Sequence, residues 1–290
     1  MNTSIKAGIM TGLVGIVAAP SAMALDGVVT VSPPTELNGW VDASINGGTA
    51  TLVDDAPAGM GSNSLQLKTT SDVAAKAVFA HPENMPLNDV TTLSYLTKQV
   101  AASSEGGSAS MTLAVDLTGD GTFDTNLVFE PYWQNEGSPD PAPVSATEWQ
   151  QWDVDQGMFW SSKSYGEGDA ALVAGSGGAP FYTLEQIKAW YPNAQLQGIG
   201  VNVGSYNTDY AINVDGVQLN GQTYNFEAPL VDDGDGEEEA PVVPLTKDEC
   251  KKGGWKTLQN VDGRMFRNQG QCVSFAAKIQ NMTSVDVNNS

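Results

Sequence analysis

The chain has 290 residues, 34 of them acidic against 13 basic, for a formal net charge of −21, with two cysteines and one histidine. A surface this acidic repels nucleic acid and anionic membranes, and it favours cations and neutral partners. One histidine, with no Gly-x-Ser-x-Gly motif, is poor material for a serine triad or a histidine-rich metal hydrolase.

Residues 1–24 read as a signal peptide. Lys6 supplies the basic start, residues 7–19 form an uncharged, largely apolar run, and Ser21-Ala22-Met23-Ala24 ends in a small-residue cleavage pattern. The run is shorter than the ~20 apolar residues that a membrane span needs. No later segment is long and apolar enough. The expectation is a secreted or cell-surface protein without a transmembrane anchor.

Residues 25–228 are expected to form an all-β domain, a β-sandwich of jelly-roll type with one short helix. Trp40 lies in a Pro- and Gly-punctuated opening. Strand-like runs follow at 50–53, 64–68, 75–80, 91–97, 110–117, 125–130, 150–155, 198–203 and 210–219. Turn signals at Asn46-Gly47-Gly48, Pro82-Glu83-Asn84, Gly106-Gly107 and Gly119-Asp120-Gly121 separate them, and His81 is placed in the second of these turns. In 110–117, Met111, Leu113 and Val115 alternate with Thr112, Ala114 and Asp116, the period of a half-buried strand. Thr183 with Gln186 forms a capping box. Leu184, Ile187 and Tyr191 then share a helix face, and Pro192 ends it.

Residues 229–244 read as an acidic Pro/Gly linker in which like charges oppose compaction. Residues 245–280 form a small module, and 281–290 a disordered tail. Cys250 and Cys272, an even pair in an exported chain, are expected to form a disulfide. Two thiols without a nearby histidine make a poor zinc site. Closing this loop contributes about 3 kcal/mol in the chain-entropy model, with Trp255, Leu258, Phe266, Val273 and Phe275 packed around it. From Thr246 to Ser290 seven basic residues face four acidic ones, so this tail could dock on an anionic cell envelope.

Two clusters carry chemistry. Asp116, Thr118, Asp120, Gly121 and Asp124 place hard oxygens at the spacing of the front half of a Ca2+ loop. The spacing resembles the loops of dockerins, thrombospondin type 3 repeats and EF-hands. It departs at the twelfth position, where Leu127 replaces the bidentate Glu. A plain Asp/Gly hairpin turn uses the same residues for backbone reasons. The second cluster is aromatic: Tyr132, Trp133, Trp149, Trp152 and Trp160, with Phe159 and Tyr165 nearby, in a stretch rich in Gln, Asn and Ser. Exposed aromatic faces stack on sugar rings, whereas buried ones fill a core. Glu130, Asp153 and Asp155 could supply paired carboxylates.

Two segments carry resemblances. The early run GSNSLQLKTT (61–70) and the late strand YAINVDGVQL (210–219) resemble the galactose-binding-like jelly rolls of carbohydrate-binding modules. That resemblance implies a glycan ligand, and it implies that Asp215 helps to hold a structural calcium; the early acidic pair that accompanies it has no counterpart here. The segment TKDECKKGGW…FRNQGQCVSF (246–275) is similar to a C-terminal segment of uncharacterised secreted bacterial proteins. The leading expectation is a non-catalytic, calcium-stabilised carbohydrate-binding module whose partner is a polysaccharide or cell-surface glycan, with no nucleic acid. The alternatives are a structural or adhesion component and, last, a secreted glycoside hydrolase.

Overall fold

The protein's computed structural model describes residues 27–104, 106–135, 144–145, 147–229, 243–260 and 264–283. The signal peptide and the acidic core of the linker lie outside the described residues. Fourteen strands follow one another: β1 (Val28–Val31), β2 (Val41–Asp42), β3 (Thr49–Val53), β4 (Ser64–Lys68), β5 (Ala77–Pro86), β6 (Leu93–Ala101), β7 (Ser110–Asp116), β8 (Thr125–Phe129), β9 (Gln150–Asp153), β10 (Met158–Ser161), β11 (Tyr182–Thr183), β12 (Gln195–Val203), β13 (Ala211–Leu219) and β14 (Gln222–Phe226). Helix α1 (Leu184–Trp190) lies between β11 and β12, and α2 (Gln269–Thr283) follows the disulfide module.

The strands make two seven-stranded sheets, as expected for a β-sandwich. In one, the order is β11-β10-β8-β7-β12-β5-β2. In the other, β13 is flanked on one edge by β6, which carries β9, and on the other edge by β4 and β14 in succession. There β3 extends β4, and β1 extends β14 in parallel. Met111, Leu113 and Val115 of β7 point inward as their alternation requires and meet Leu127 and Phe129 of β8 and Ile199 and Val201 of β12 in one core. Trp40 is fully buried, stacked on Phe79 at 5.4 Å and edge-on to Tyr224 and Phe226.

Both central strands break their period of two. In β12, Leu196 and Ile199 both face the core because the pairing shifts between Leu196 and Gly198. In β13, Ile212 and Val214 face inward, and so do Val217 and Leu219, because the register shifts between Asp215 and Gln218. Gly216 makes that second bulge at φ +55°, where a Cβ would lie 2.9 Å from Leu96 Cδ1.

The capping box at α1 forms as read: Gln186 N donates to Thr183 Oγ1 at 3.1 Å, and Thr183 N donates to Gln186 Oε1 at 2.9 Å. The Cys250–Cys272 disulfide is present, with Phe266 and Ala276 buried against it and Trp255, Leu258, Val273 and Phe275 partly so. Three expectations are corrected. Pro82-Glu83-Asn84 is no turn: β5 runs through it, so His81 is a strand residue paired with Ile199. The proline coincides with the irregular stretch of the β5–β12 ladder, where a missing N–H costs least. A second helix, α2, was not foreseen. It continues past residue 280 into the segment read as a disordered tail, because Ile279 buries against Val41, Val78, Ala80 and Ala114 on the outer face of the sheet that contains β2, β5 and β7. Asn126 Nδ2 donates to Asn281 O at 2.7 Å, and Lys278 Nζ to Glu83 O at 3.0 Å, so the module and sandwich are joined.

Gly216→Ala is expected to lower stability by about 1–2 kcal/mol, the cost of forcing a side chain into the left-handed region. Urea unfolding followed by tryptophan fluorescence measures it.

Candidate functional site

Four loops meet at one end of the sandwich. They are the β6–β7 loop, the turn after β8, the segment before β11 and the β12–β13 loop. They enclose a cleft of about 310 Å3 lined by Ser104, Ser108, Glu130, Tyr132, Trp133 and Asn207, among others. The chain turns into a single 3-10 turn at Pro131–Trp133 directly after β8. Gln134 fixes it, donating to Met158 O and accepting from Met158 N, both at 2.9 Å. This sets Tyr132 and Trp133 edge to face at 4.6 Å, both half-buried. Trp133 Nε1 donates to Gly177 O at 2.9 Å, and its ring rests on Phe181 at 5.7 Å.

The Gly106-Gly107 signal acquires its reason here. A Cβ on either residue would come within 2.5 Å of a ring, Tyr132 for Gly106 and Tyr210 for Gly107, so only glycines let this loop close on the aromatics. Tyr210 forms a wall, its hydroxyl bonded to Ser104 Oγ. Glu130 also lines the cleft. Burial pushes its carboxyl above the usual range, opposed by the nearby indoles of Trp160 and Trp133. Its charge in turn raises the Tyr95 phenol, which burial already holds high.

Of the five aromatics picked from the sequence, the structure brings Tyr132 and Trp133 together in the cleft. Trp152 is in the core, donating to Thr97 Oγ1 at 2.8 Å, and Trp160 on β10 is buried. Trp149 is half-buried, with an unpartnered Nε1. Sequence reading missed Tyr210 and Asn207, whose loop carries no local signal linking it to residue 132. Asp153 and Asp155 do not join Glu130. Asp155 Oδ1 accepts from Leu93 N at 2.9 Å, and Asp153 Oδ1 from Gln151 Nε2 at 2.9 Å.

The Asp116–Asp124 turn lies at the other end of β7, ~20 Å from the cleft at the rise of a strand. Asp116 is fully buried and closes the turn. Its Oδ1 accepts from Thr118 N and Gly119 N at 3.1 and 2.7 Å, and its Oδ2 from Gly121 N at 2.6 Å. Asp120 instead accepts from Thr122 N, and Asp124 from Leu117 N. Thr118 Oγ1 also turns to Asp116 Oδ1. Each of the three carboxylates thus accepts from backbone N–H groups of the turn, and among the described residues no group of three or more His, Cys, Asp or Glu is gathered as for a metal. Asp215 differs. Its Oδ1 accepts from Gly216 N and Phe226 N, while its Oδ2 is buried without a partner. Burial above all, and then the charge of Glu227, raises its carboxyl to about 8. Its orphaned oxygen is an acceptor that a proton or a hard cation would satisfy.

No protein-family model and no curated protein matches the chain. Solved structures similar to it include a family 11 carbohydrate-binding module from Clostridium thermocellum in complex with a beta-1,3-1,4-mixed-linked tetrasaccharide. That module shares 12% identity over 63% of this chain and 89% of its own, with a TM-score of 0.37. The CBM22-1 xylan-binding domain of Paenibacillus barcinonensis Xyn10C shares 14% identity over 67% and 90%, with a TM-score of 0.32. A CBM28 module specific for non-crystalline cellulose shares 12% over 68% and 93%, with a TM-score of 0.34. At such values the function has to be argued from the cleft itself. Among the described residues no helix is long and apolar enough to cross a membrane.

Asp215 makes stability depend on pH. Below 3.8 both folded and unfolded chains hold its proton; between 3.8 and about 8 only the folded chain does. Its contribution therefore declines as pH rises through that window. Asp215→Asn is expected to flatten the decline between pH 5 and 8 in EDTA, as read by urea midpoints.

Proposed function

We propose that the protein is an exported, non-catalytic carbohydrate-binding protein that holds a glycan in the cleft at Tyr132 and Trp133. The observation that carries this is the half-buried aromatic pair set among hydroxyl, amide and carboxylate groups. Aromatic faces cover the apolar faces of sugar rings, while Ser108, Asn207 and Glu130 offer hydrogen bonds to their hydroxyls. Two-carboxylate glycoside hydrolysis needs a second acid ~5–9.5 Å from the first. Among the described lining residues Glu130 is the one carboxylate.

Export is supported by the amino-terminal segment and by the disulfide, whose bond persists in oxidising compartments. On the module, Lys251, Lys252, Lys256, Arg264 and Arg267 are exposed. They are the residues through which it would meet an anionic envelope. Calcium belongs to the same proposal as a stabiliser. The Asp116–Asp124 turn would have to open and turn its carboxylates inward to take the ion, whereas Asp215 offers its oxygen as folded.

Trp133→Ala is expected to weaken oligosaccharide binding ~30-fold, the ~2 kcal/mol of an aromatic hot spot. Calorimetry on a panel of soluble glucans and xylans measures this, and no binding by the wild type to any glycan on a broad array would overturn the reading. Thermal unfolding in millimolar calcium against EDTA is expected to shift the wild type and Asp120→Ala upward by several degrees and to leave Asp215→Asn unmoved. A shift lost only in Asp120→Ala would assign the ion to the turn.

A further inference from the structure

The cleft is negatively charged and uncompensated. Every lysine and arginine of the chain except Lys6 lies among the described residues, and none of them lines it. Lys98 pairs with Asp55 at 2.8 Å, and Lys251 with Asp248 at 2.6 Å, so the ion pairs of lysine lie elsewhere. Glu130 therefore sits half-buried among rings with no cation to balance it. The indoles of Trp160 and Trp133 offset part of its burial but bring no positive charge. Trp133 Nε1 is spent on Gly177 O, Tyr95 Oη donates to Ala109 O at 2.7 Å, and the buried Nε1 of Trp160 makes no hydrogen bond of ordinary geometry.

We infer that the cleft prefers glycans bearing a free amine, as in hexosamine units without the N-acetyl group, over neutral sugars, and that it excludes acidic ones. The inference rests on the carbohydrate reading above and adds the ligand's charge to it.

A carboxylate taken partly out of water beside aromatic faces gains most from a cation. An ammonium group in the cleft pairs with Glu130 in a medium of low dielectric, and the faces of Tyr132 and Trp133 attract the same charge through their quadrupoles. Burial raises the carboxyl of Glu130, and a positive charge placed beside the carboxylate would offset that cost. A neutral sugar hydroxyl donates to Glu130 and leaves the charge in place. A uronic acid brings a second carboxylate against the first with no lysine or arginine to separate them. The rejection is then electrostatic and does not depend on ring shape.

The test is calorimetric binding of the mature protein, at a pH where the amine is charged, to four tetrasaccharides. They are a glucosamine oligomer, its N-acetylated counterpart, cellotetraose and a uronic acid oligomer. The wild type is expected to bind the amine ligand about tenfold tighter than either neutral one and the acidic one not measurably. Glu130→Gln, with its fold checked by circular dichroism, is expected to bring the amine-to-neutral ratio to within about twofold. A wild-type ratio of one or less overturns the inference without any variant. A ratio that survives in Glu130→Gln also overturns it, because the amine is then sensed by the acidic surface at large. In both cases neutral sugars still bind and the carbohydrate reading stands. If no sugar of any class binds, the carbohydrate reading fails and this inference fails with it.

Discussion

Two sheets can share one core only if the central strand of each presents its apolar side chains to the other along its whole length. Neither β12 nor β13 could do so as a regular strand, because their apolar residues change parity midway: Leu196 to Ile199 in one, Val214 to Val217 in the other. A bulge in each corrects the phase. The second bulge has a cost. It turns Asp215 into the interior, where its Oδ1 caps the N–H groups of Gly216 and Phe226 and its other oxygen has no partner. The carboxyl that anchors the strand is thus also the one that burial makes hardest to ionise.

The same framework separates two features that neighbour each other in the sequence. Strand β7 begins at the aromatic cleft and ends at the Asp116 turn, and β8 returns from the turn to the cleft. Strands buried along almost their whole length lie between. A cation at the turn could stiffen the hairpin without touching anything bound at Trp133. The cleft, in contrast, is assembled from loops far apart in sequence, held to one another by Gln134, by Trp133 on Gly177 and by the close approach of Gly106 and Gly107 to two tyrosine rings.

The module that follows the linker is part of the same body. Its helix α2 takes the outer face of the β5–β7–β12 layer, where Val78, Ala80 and Ala114 would otherwise face water. Val78 and Ala80 make this stretch of β5 apolar on both faces, as a strand covered on both sides is.

Much of the framework was legible in the sequence because it is local. Strand β4 was read to the residue, β7 and β8 to within one, the capping box of α1 by its two side chains, and the disulfide from a single cysteine pair. The short strands β1, β2, β10, β11 and β14 were not, since they form only as edges or partners of strands already placed. Nor did periodicity mark α2, whose apolar residues are divided between the disulfide and the sandwich. The aromatic run between 132 and 165 shows the limit most clearly. Composition established that tryptophans and tyrosines gather there. Which of them face a ligand was decided by the opposing sheet, which buries Trp152, and by the 3-10 turn after β8, which leaves Tyr132 and Trp133 at the surface. Exposure is a property of what packs on top of a residue, and in a sandwich that partner comes from far along the chain.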